Sequence, residues 1–145
     1  VFGNGGSAAD AQHIAAEFVN RYLMERAPLP AIALTTDSSI LTSISNDYSF
    51  DDVFAKQIRA LGVRGDIALG ITTSGTSPNM LRAFQTSREM GLITIAFTGR
   101  DGGPAATMVD FNFTVRTDLT PRIQEVHITL AHVICELVEK RIAQS

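Results

Sequence analysis

Apolar residues along the chain alternate between short continuous runs and stretches with helical spacing. From Ser7 to about Arg26, Ala8, Ala11, Ala15, Phe18, Val19 and Tyr22 recur at three- and four-residue intervals, which predicts a first helix. Pro28 and Pro30 close it, and Ala31-Ile32-Ala33-Leu34 reads as a short buried strand. Asp37 or Ser38 then caps a helical segment through Ile44, Asn46-Asp47-Tyr48 reads as a turn-like break, and Phe50 to Leu61 as another helix.

After Gly65-Asp66, the unbroken apolar run Ile67-Ala68-Leu69-Gly70-Ile71 suits a strand covered on both faces. Ser77-Pro78 opens a helix, with serine at the cap and proline at the first helical position. Gly91 ends that helix, Leu92 to Phe97 is a strand, and Gly99 to Gly103 a loop. Phe111 to Val115 is a last strand, and Pro121 to about Ile142 a long terminal helix. Strands separated by helices imply right-handed crossovers and a mainly parallel sheet, hence a single doubly wound α/β domain over residues 1–145. In such sheets ligands bind beyond the carboxyl ends of the strands, where the Gly-, Ser- and Thr-rich turns of this chain fall.

Composition narrows the function. The 145 residues are 45% hydrophobic and 19% charged, an ordinary globular balance. The net charge of −3, with no basic run, gives no nucleic-acid-binding surface. An anionic substrate stays compatible, because backbone N–H groups can bind phosphate without surface cations. The one cysteine, Cys135, excludes a disulfide within the chain and reads as a small buried hydrophobe in a reducing cytosol. No apolar run spans a bilayer and no signal peptide is visible, so a cytoplasmic protein without a membrane partner is expected. Val1-Phe2 leads straight into Gly3 without an initiator methionine, which reads as a strand cut near its end and predicts a missing N-terminal segment.

Two turns could cradle a phosphate. Thr72-Thr73-Ser74-Gly75-Thr76-Ser77 lies between a strand and a helix start, and five of its six residues carry hydroxyls. Hydroxyls and the amides of a helix N-terminus match phosphate oxygens, which favours phosphate binding over a plain capping turn. Gly3-Asn4-Gly5-Gly6-Ser7 occupies an equivalent position. It also satisfies a dinucleotide fingerprint as Gly3-x-Gly5-x-x-Ala8, with Asp37 where a ribose-binding acid belongs. That reading leaves the second hydroxyl loop and the polar helix positions unexplained.

Those positions form two clusters. His13 and Glu17 are four apart, about 40° around one helix face, so they could converge on one metal ion or substrate, or form a solvated pair. The last helix carries Gln124, Glu125, His127 and His132 among apolar residues. Glu125 and His132 project almost identically, whereas Gln124 and His132 differ by about 80°, so a straight helix favours Glu125 as the partner of His132. His13, Glu17, Gln124 and His132 could supply a nitrogen–oxygen zinc site, although no dense Cys/His signature exists.

Gly3-Asn4-Gly5-Gly6-Ser7, His13-x-x-x-Glu17, Asn46-Asp47, Thr72 to Ser77, Asp101-Gly102-Gly103 and Arg122-Ile123-Gln124-Glu125 occur in that order. Together they resemble the phosphoheptose isomerases of the sugar isomerase (SIS) domain superfamily, over essentially the whole chain. The resemblance implies a three-layer, flavodoxin-like α/β/α sandwich and interconversion of sedoheptulose 7-phosphate with D-glycero-D-manno-heptose 7-phosphate, a precursor of lipopolysaccharide heptose. It implies one zinc ion per subunit on His13, Glu17, Gln124 and His132, preferring Gln124 to Glu125. It places substrate contacts on Asn4, Gly5, Gly6, Ser7, Glu17, Asn46, Asp47, Thr72, Thr73, Ser74, Ser77 and Gln124. Glu17 is then the base and His132 its acid partner in an enediol mechanism. The family further implies a homotetramer with sites shared between subunits, and an N-terminal helical segment absent from this chain. Pro121 departs from the family, standing where an acidic residue often precedes Arg-Ile-Gln.

Two other classes compete. Replication regulators that associate with the initiator DnaA share the fold and resemble this chain around Arg21 to Asp37 and Ala55 to Gly62, but lack the carboxylate and second histidine present here as Glu17 and His132. SIS isomerases for other sugar phosphates differ by pocket shape.

Overall fold

The computed structural model describes residues 1–144. Strand β1 (Phe2–Gly3) is followed by helices α1 (Gly6–Val19), α2 (Ser38–Asp47) and α3 (Val53–Leu61), with a short 3-10 turn, Phe50–Asp52, before α3. Then come β2 (Ile67–Thr72), α4 (Pro78–Glu89), β3 (Ile93–Gly99), α5 (Gly103–Met108), β4 (Phe111–Val115) and α6 (Thr120–Ala143). The four strands form one parallel sheet in the order β1-β2-β3-β4.

The segment 31–34 does not form the expected strand, yet it extends the sheet. The Val1 amine donates to the Ile32 carbonyl at 2.7 Å and the Leu34 amide to the Val1 carbonyl at 2.9 Å, the two bonds of one parallel rung opposite Ala33. Pro28 and Pro30 have no amide to lengthen this ladder, and Ile32 is exposed at the sheet's edge. With this strip outside β1, the connection that leaves β1 runs to one side of the sheet and the one that leaves β2 runs to the other, towards β3. The gap between β1 and β2 is therefore the switch point of a flavodoxin-like sandwich.

Two apolar layers hold the sandwich. Phe2, Phe54, Met80 and Phe84 pack between the sheet and the helices α3 and α4, whereas Ile14, Ile71, Phe97 and Ala131 pack beneath α1 and α6. Gly70 lets Phe84 and Phe2 close over β2, since a Cβ there would overlap the Phe84 ring. Truncating the fully buried Phe84 to Ala would cost about 3–5 kcal/mol.

Other boundaries shift. The first helix ends at Val19 rather than near Arg26. Asn46 and Asp47 lie in the last turn of α2, and the chain breaks at Tyr48. The stretch after Gly102 winds into the short helix α5, helped by Pro104 in its first turn. Among the described residues, no helix is long and apolar enough to cross a membrane.

Candidate active site

Register brings the two cradle loops together. Gly3 lies opposite Ile71 on parallel neighbours, so residues 4–7 and 72–77 leave the sheet side by side. Asn4 and Asn79 lock them, each side-chain amide donating to the other's oxygen at 2.9 Å. Asn79 sits in the first turn of α4 and is 2% exposed. It belongs to the site although no motif pointed to it; its place just after the Ser77-Pro78 helix start was the available signal.

The hydroxyl loop shapes itself. Thr72 is buried, and its Oγ1 accepts from the Gly75 amide at 3.2 Å; the Ser74 hydroxyl accepts from the Thr76 amide at 3.2 Å. Gly75 has φ +68°, and a Cβ there would collide with the Gly102 carbonyl. The Ala105 amide donates to the Gly75 carbonyl at 3.1 Å, so the turn after β3 buttresses the loop after β2. Thr73, Ser74 and Ser77 are part-exposed around it, and Ser77 starts α4 without its side chain capping the helix.

Across from this loop, α1 starts at Gly6, with Gly5 at φ 57° preceding it and Ser7 buried in its first turn. The Gln124 side-chain nitrogen lies over Gly6, in space a Cβ would fill. Asn4, Gly5, Gly6, Ser7, Thr72, Thr73, Ser74, Ser77 and Gln124 thus gather at the carboxyl end of the sheet. Asn46 and Asp47 stay exposed on α2, with Asn46 Nδ2 donating to Asp47 at 2.8 Å. Asp37 caps α2 by accepting from the Ile40 amide at 2.9 Å, which occupies it in helix capping rather than as a ribose-binding acid.

The ionisable cluster lies further down the α1–α6 seam. His13 Nε2 and Glu17 Oε1 are 3.0 Å apart, and the His13 and His132 rings meet edge to face with centres 5.1 Å apart. Tyr22, just beyond α1, stacks on His132 at 5.4 Å with an interplanar angle of 26°. Glu125 is not the partner of His132: it is exposed and accepts from Arg122 at 2.7 Å, held by a local pair that helix projection ignores. Gln124, eight residues before His132, is about 12 Å away along the α6 axis.

Imidazole, carboxylate and imidazole are zinc donors, and two imidazoles on one tetrahedral ion would have ring centres about 5 Å apart, so the donor chemistry of His13, Glu17 and His132 fits zinc. Among the described residues, no three His, Cys, Asp or Glu side chains already form a metal-ready group. Binding would need His13 and Glu17 to exchange their mutual hydrogen bond for the ion.

A third polar pair is buried deeper. His127 Nε2 bonds the Thr98 carbonyl at 2.9 Å, whereas its Nδ1 and Asp10 Oδ2 are buried without partners. Burial lowers the His127 imidazole and raises the Asp10 carboxyl from their ordinary values, each partly offset by the other's charge. Burial also pushes the Cys135 thiol up to about 11, as expected of a core hydrophobe.

Fold and site together define a SIS domain, and the SIS domain family matches residues 1–99. A phosphoheptose isomerase of Aquifex aeolicus is 58% identical over 144 residues, covering 99% of this chain and 75% of that protein. One from Nitratidesulfovibrio vulgaris is 58% identical over 137 residues, covering 94% of this chain and 66% of its own length. The structure of a phosphoheptose isomerase from Francisella tularensis superposes with a TM-score of 0.91 at 42% identity, covering 95% of this chain and 74% of that one. The chain belongs to the phosphoheptose isomerase family.

Proposed function

We propose that this chain is the catalytic domain of an aldose–ketose isomerase that interconverts sedoheptulose 7-phosphate and D-glycero-D-manno-heptose 7-phosphate, supplying heptose for surface glycans such as lipopolysaccharide. The observation that carries the reading is the joining of two phosphate-cradling loops through Asn4 and Asn79 at the switch point, on a chain that also pairs Glu17 with His13 and sets the His132 ring against His13.

The reaction moves a proton between neighbouring carbons through an enediol, which requires a base, an acid and stabilisation of a developing oxyanion. Thr73, Ser74 and Ser77 anchor the phosphate, and Asn4, Gly5, Gly6, Ser7 and Gln124 close the other side of the cradle. Asn46 and Asp47 contact the sugar hydroxyls. Anchoring the phosphate fixes the reacting carbons against the acid–base groups. The Glu17 carboxylate removes the proton, and His132 exchanges protons with the substrate oxygens. Gln124, which family resemblance adds to the zinc ligands, lies over Gly6 and about 12 Å along α6 from His132, so the same chain's Gln124 does not join His13, Glu17 and His132. Those three would hold one zinc per subunit. Bound there, zinc supplies positive charge toward a developing oxyanion.

Gly6 and Glu17 are eleven residues apart on α1, about 16 Å along its axis. A phosphate held at one end of α1 therefore leaves Glu17 of the same chain out of reach of the reacting carbons. This supports a homotetramer whose sites combine the cradle of one subunit with the ionisable cluster of another. Val126, Val133 and Leu137 are exposed apolar residues on α6 that suit such contacts.

The test is an isomerase assay with sedoheptulose 7-phosphate on the full-length protein, with and without chelator. Turnover that disappears in a folded Glu17→Gln variant and falls with chelator is expected. Full activity in Glu17→Gln would remove that residue as base, and activity insensitive to chelator would remove the metal.

A further inference from the structure

Glu17 lies in the last turn of α1, where carbonyls lack intrahelical partners. Here Arg26 supplies the donors. Its guanidinium donates to the carbonyls of Glu17 at 2.7 Å, Phe18 at 2.9 Å and Ala27 at 3.1 Å. Its Nε donates to Glu139 Oε1 at 3.1 Å, and both side chains are nearly inaccessible. Glu139, 2% exposed on α6, also accepts from the backbone amides of Tyr22 at 2.6 Å, Leu23 at 2.8 Å and Met24 at 3.0 Å.

This network reaches both groups assigned to proton transfer. Arg26 grips the carbonyl of Glu17 itself. Glu139 holds the amide of Tyr22, whose ring stacks on His132. Glu139 is also seven residues beyond His132, two turns along the same face of α6. One buried ion pair thus sets where α1 ends and where the stacking ring lies.

We infer that Arg26 and Glu139 are positioning residues for the isomerase reaction: they hold Glu17 and the Tyr22–His132 stack in reactive register. The inference rests on Glu17 and His132 being the acid–base pair. A pair that only stapled residues 20–26 to α6 would change stability without changing the turnover of the folded protein. A positioning pair changes kcat, and it spares KM because the hydrogen bonds of Arg26 and Glu139 go to residues 17–27 and to each other, none of them in the phosphate cradle.

The full-length enzyme carrying Glu139→Gln or Arg26→Lys tests this. Lysine keeps the charge opposite Glu139 but loses the forked grip on the Glu17 and Phe18 carbonyls, so Arg26→Lys is judged by the same criteria should Glu139→Gln not fold. The expected result is a kcat reduced at least tenfold with KM within twofold of wild type. In protein labelled at its three histidines, the His132 ring proton should also lose the ring-current shift from Tyr22. Folded variants with wild-type kcat, KM moving in step with kcat, or an unmoved His132 signal would overturn the inference. Failure of the acid–base assignment shows separately, as turnover retained in Glu17→Gln.

Discussion

Asn4 and Asn79, 75 residues apart, exchange two side-chain hydrogen bonds of 2.9 Å and so tie the turn after β1 to the first turn of α4. Asn79 is almost wholly buried, so its amide depends on Asn4 for satisfaction, whereas Asn4 is part-exposed.

Asn79→Leu should therefore destabilise the protein by about 1–3 kcal/mol, the net worth of the two hydrogen bonds it removes. It should also raise KM for the sugar phosphate more than it lowers kcat, because it loosens the cradle. Denaturant unfolding and steady-state kinetics would check both; an unchanged KM would show that the pair is structural only.

Gly6 and Gly75 should respond differently to alanine. At Gly75 the new methyl meets the backbone carbonyl of Gly102 at positive φ, so Gly75→Ala should lower the thermal midpoint and abolish phosphate binding. At Gly6 it meets only the flexible end of Gln124, so Gly6→Ala should fold normally and weaken substrate binding. Melting curves and phosphate titrations separate the two; equal loss of stability would contradict the distinction.

Burial holds His127 below its ordinary value, partly offset by its bond to Thr98 and by Asp10. The unfolded chain then takes up its proton first as pH falls through about 6.5, so this residue's contribution to stability is full above that pH and declines below it, down to the folded-state value. Thermal melts between pH 7.5 and 5.5 should show the decline, and His127→Phe should flatten it. An identical slope in the variant would assign the decline elsewhere.

If sites are shared between subunits, an inactive Glu17→Gln chain mixed with an inactive Ser74→Ala/Ser77→Ala chain should regain activity. The about 16 Å between Gly6 and Glu17 along α1 motivates the experiment. Mixed assemblies that stay inactive would place cradle and acid–base pair in one chain's site.

Much of the architecture is written in local pattern. The apolar run at Ile67–Ile71, the Ser77-Pro78 start and the helical spacing after Pro121 each specify an element through period and capping, which act within a few residues. The glycine- and hydroxyl-rich turns were legible for the same reason. The end of α1 was not, because apolar spacing continues to Tyr22 while the carboxylate that stops the helix comes from Glu139, over a hundred residues away. The segment 31–34 kept its place beside β1 but not its strand, since the flanking prolines leave no amides for a longer ladder.

The candidate site divides along the same line. Sequence alone determined that His13 and Glu17 share a helix face and that two cradle loops sit at strand ends, because both follow from short-range geometry. Only the tertiary structure decided that Asn79 joins those loops, that Tyr22 rather than Glu125 accompanies His132, and that Gln124 lies over Gly6. Those choices depend on the packing of α6 against α1 and of α4 against the sheet, and such contacts join residues whose separation along the chain carries no periodic signal.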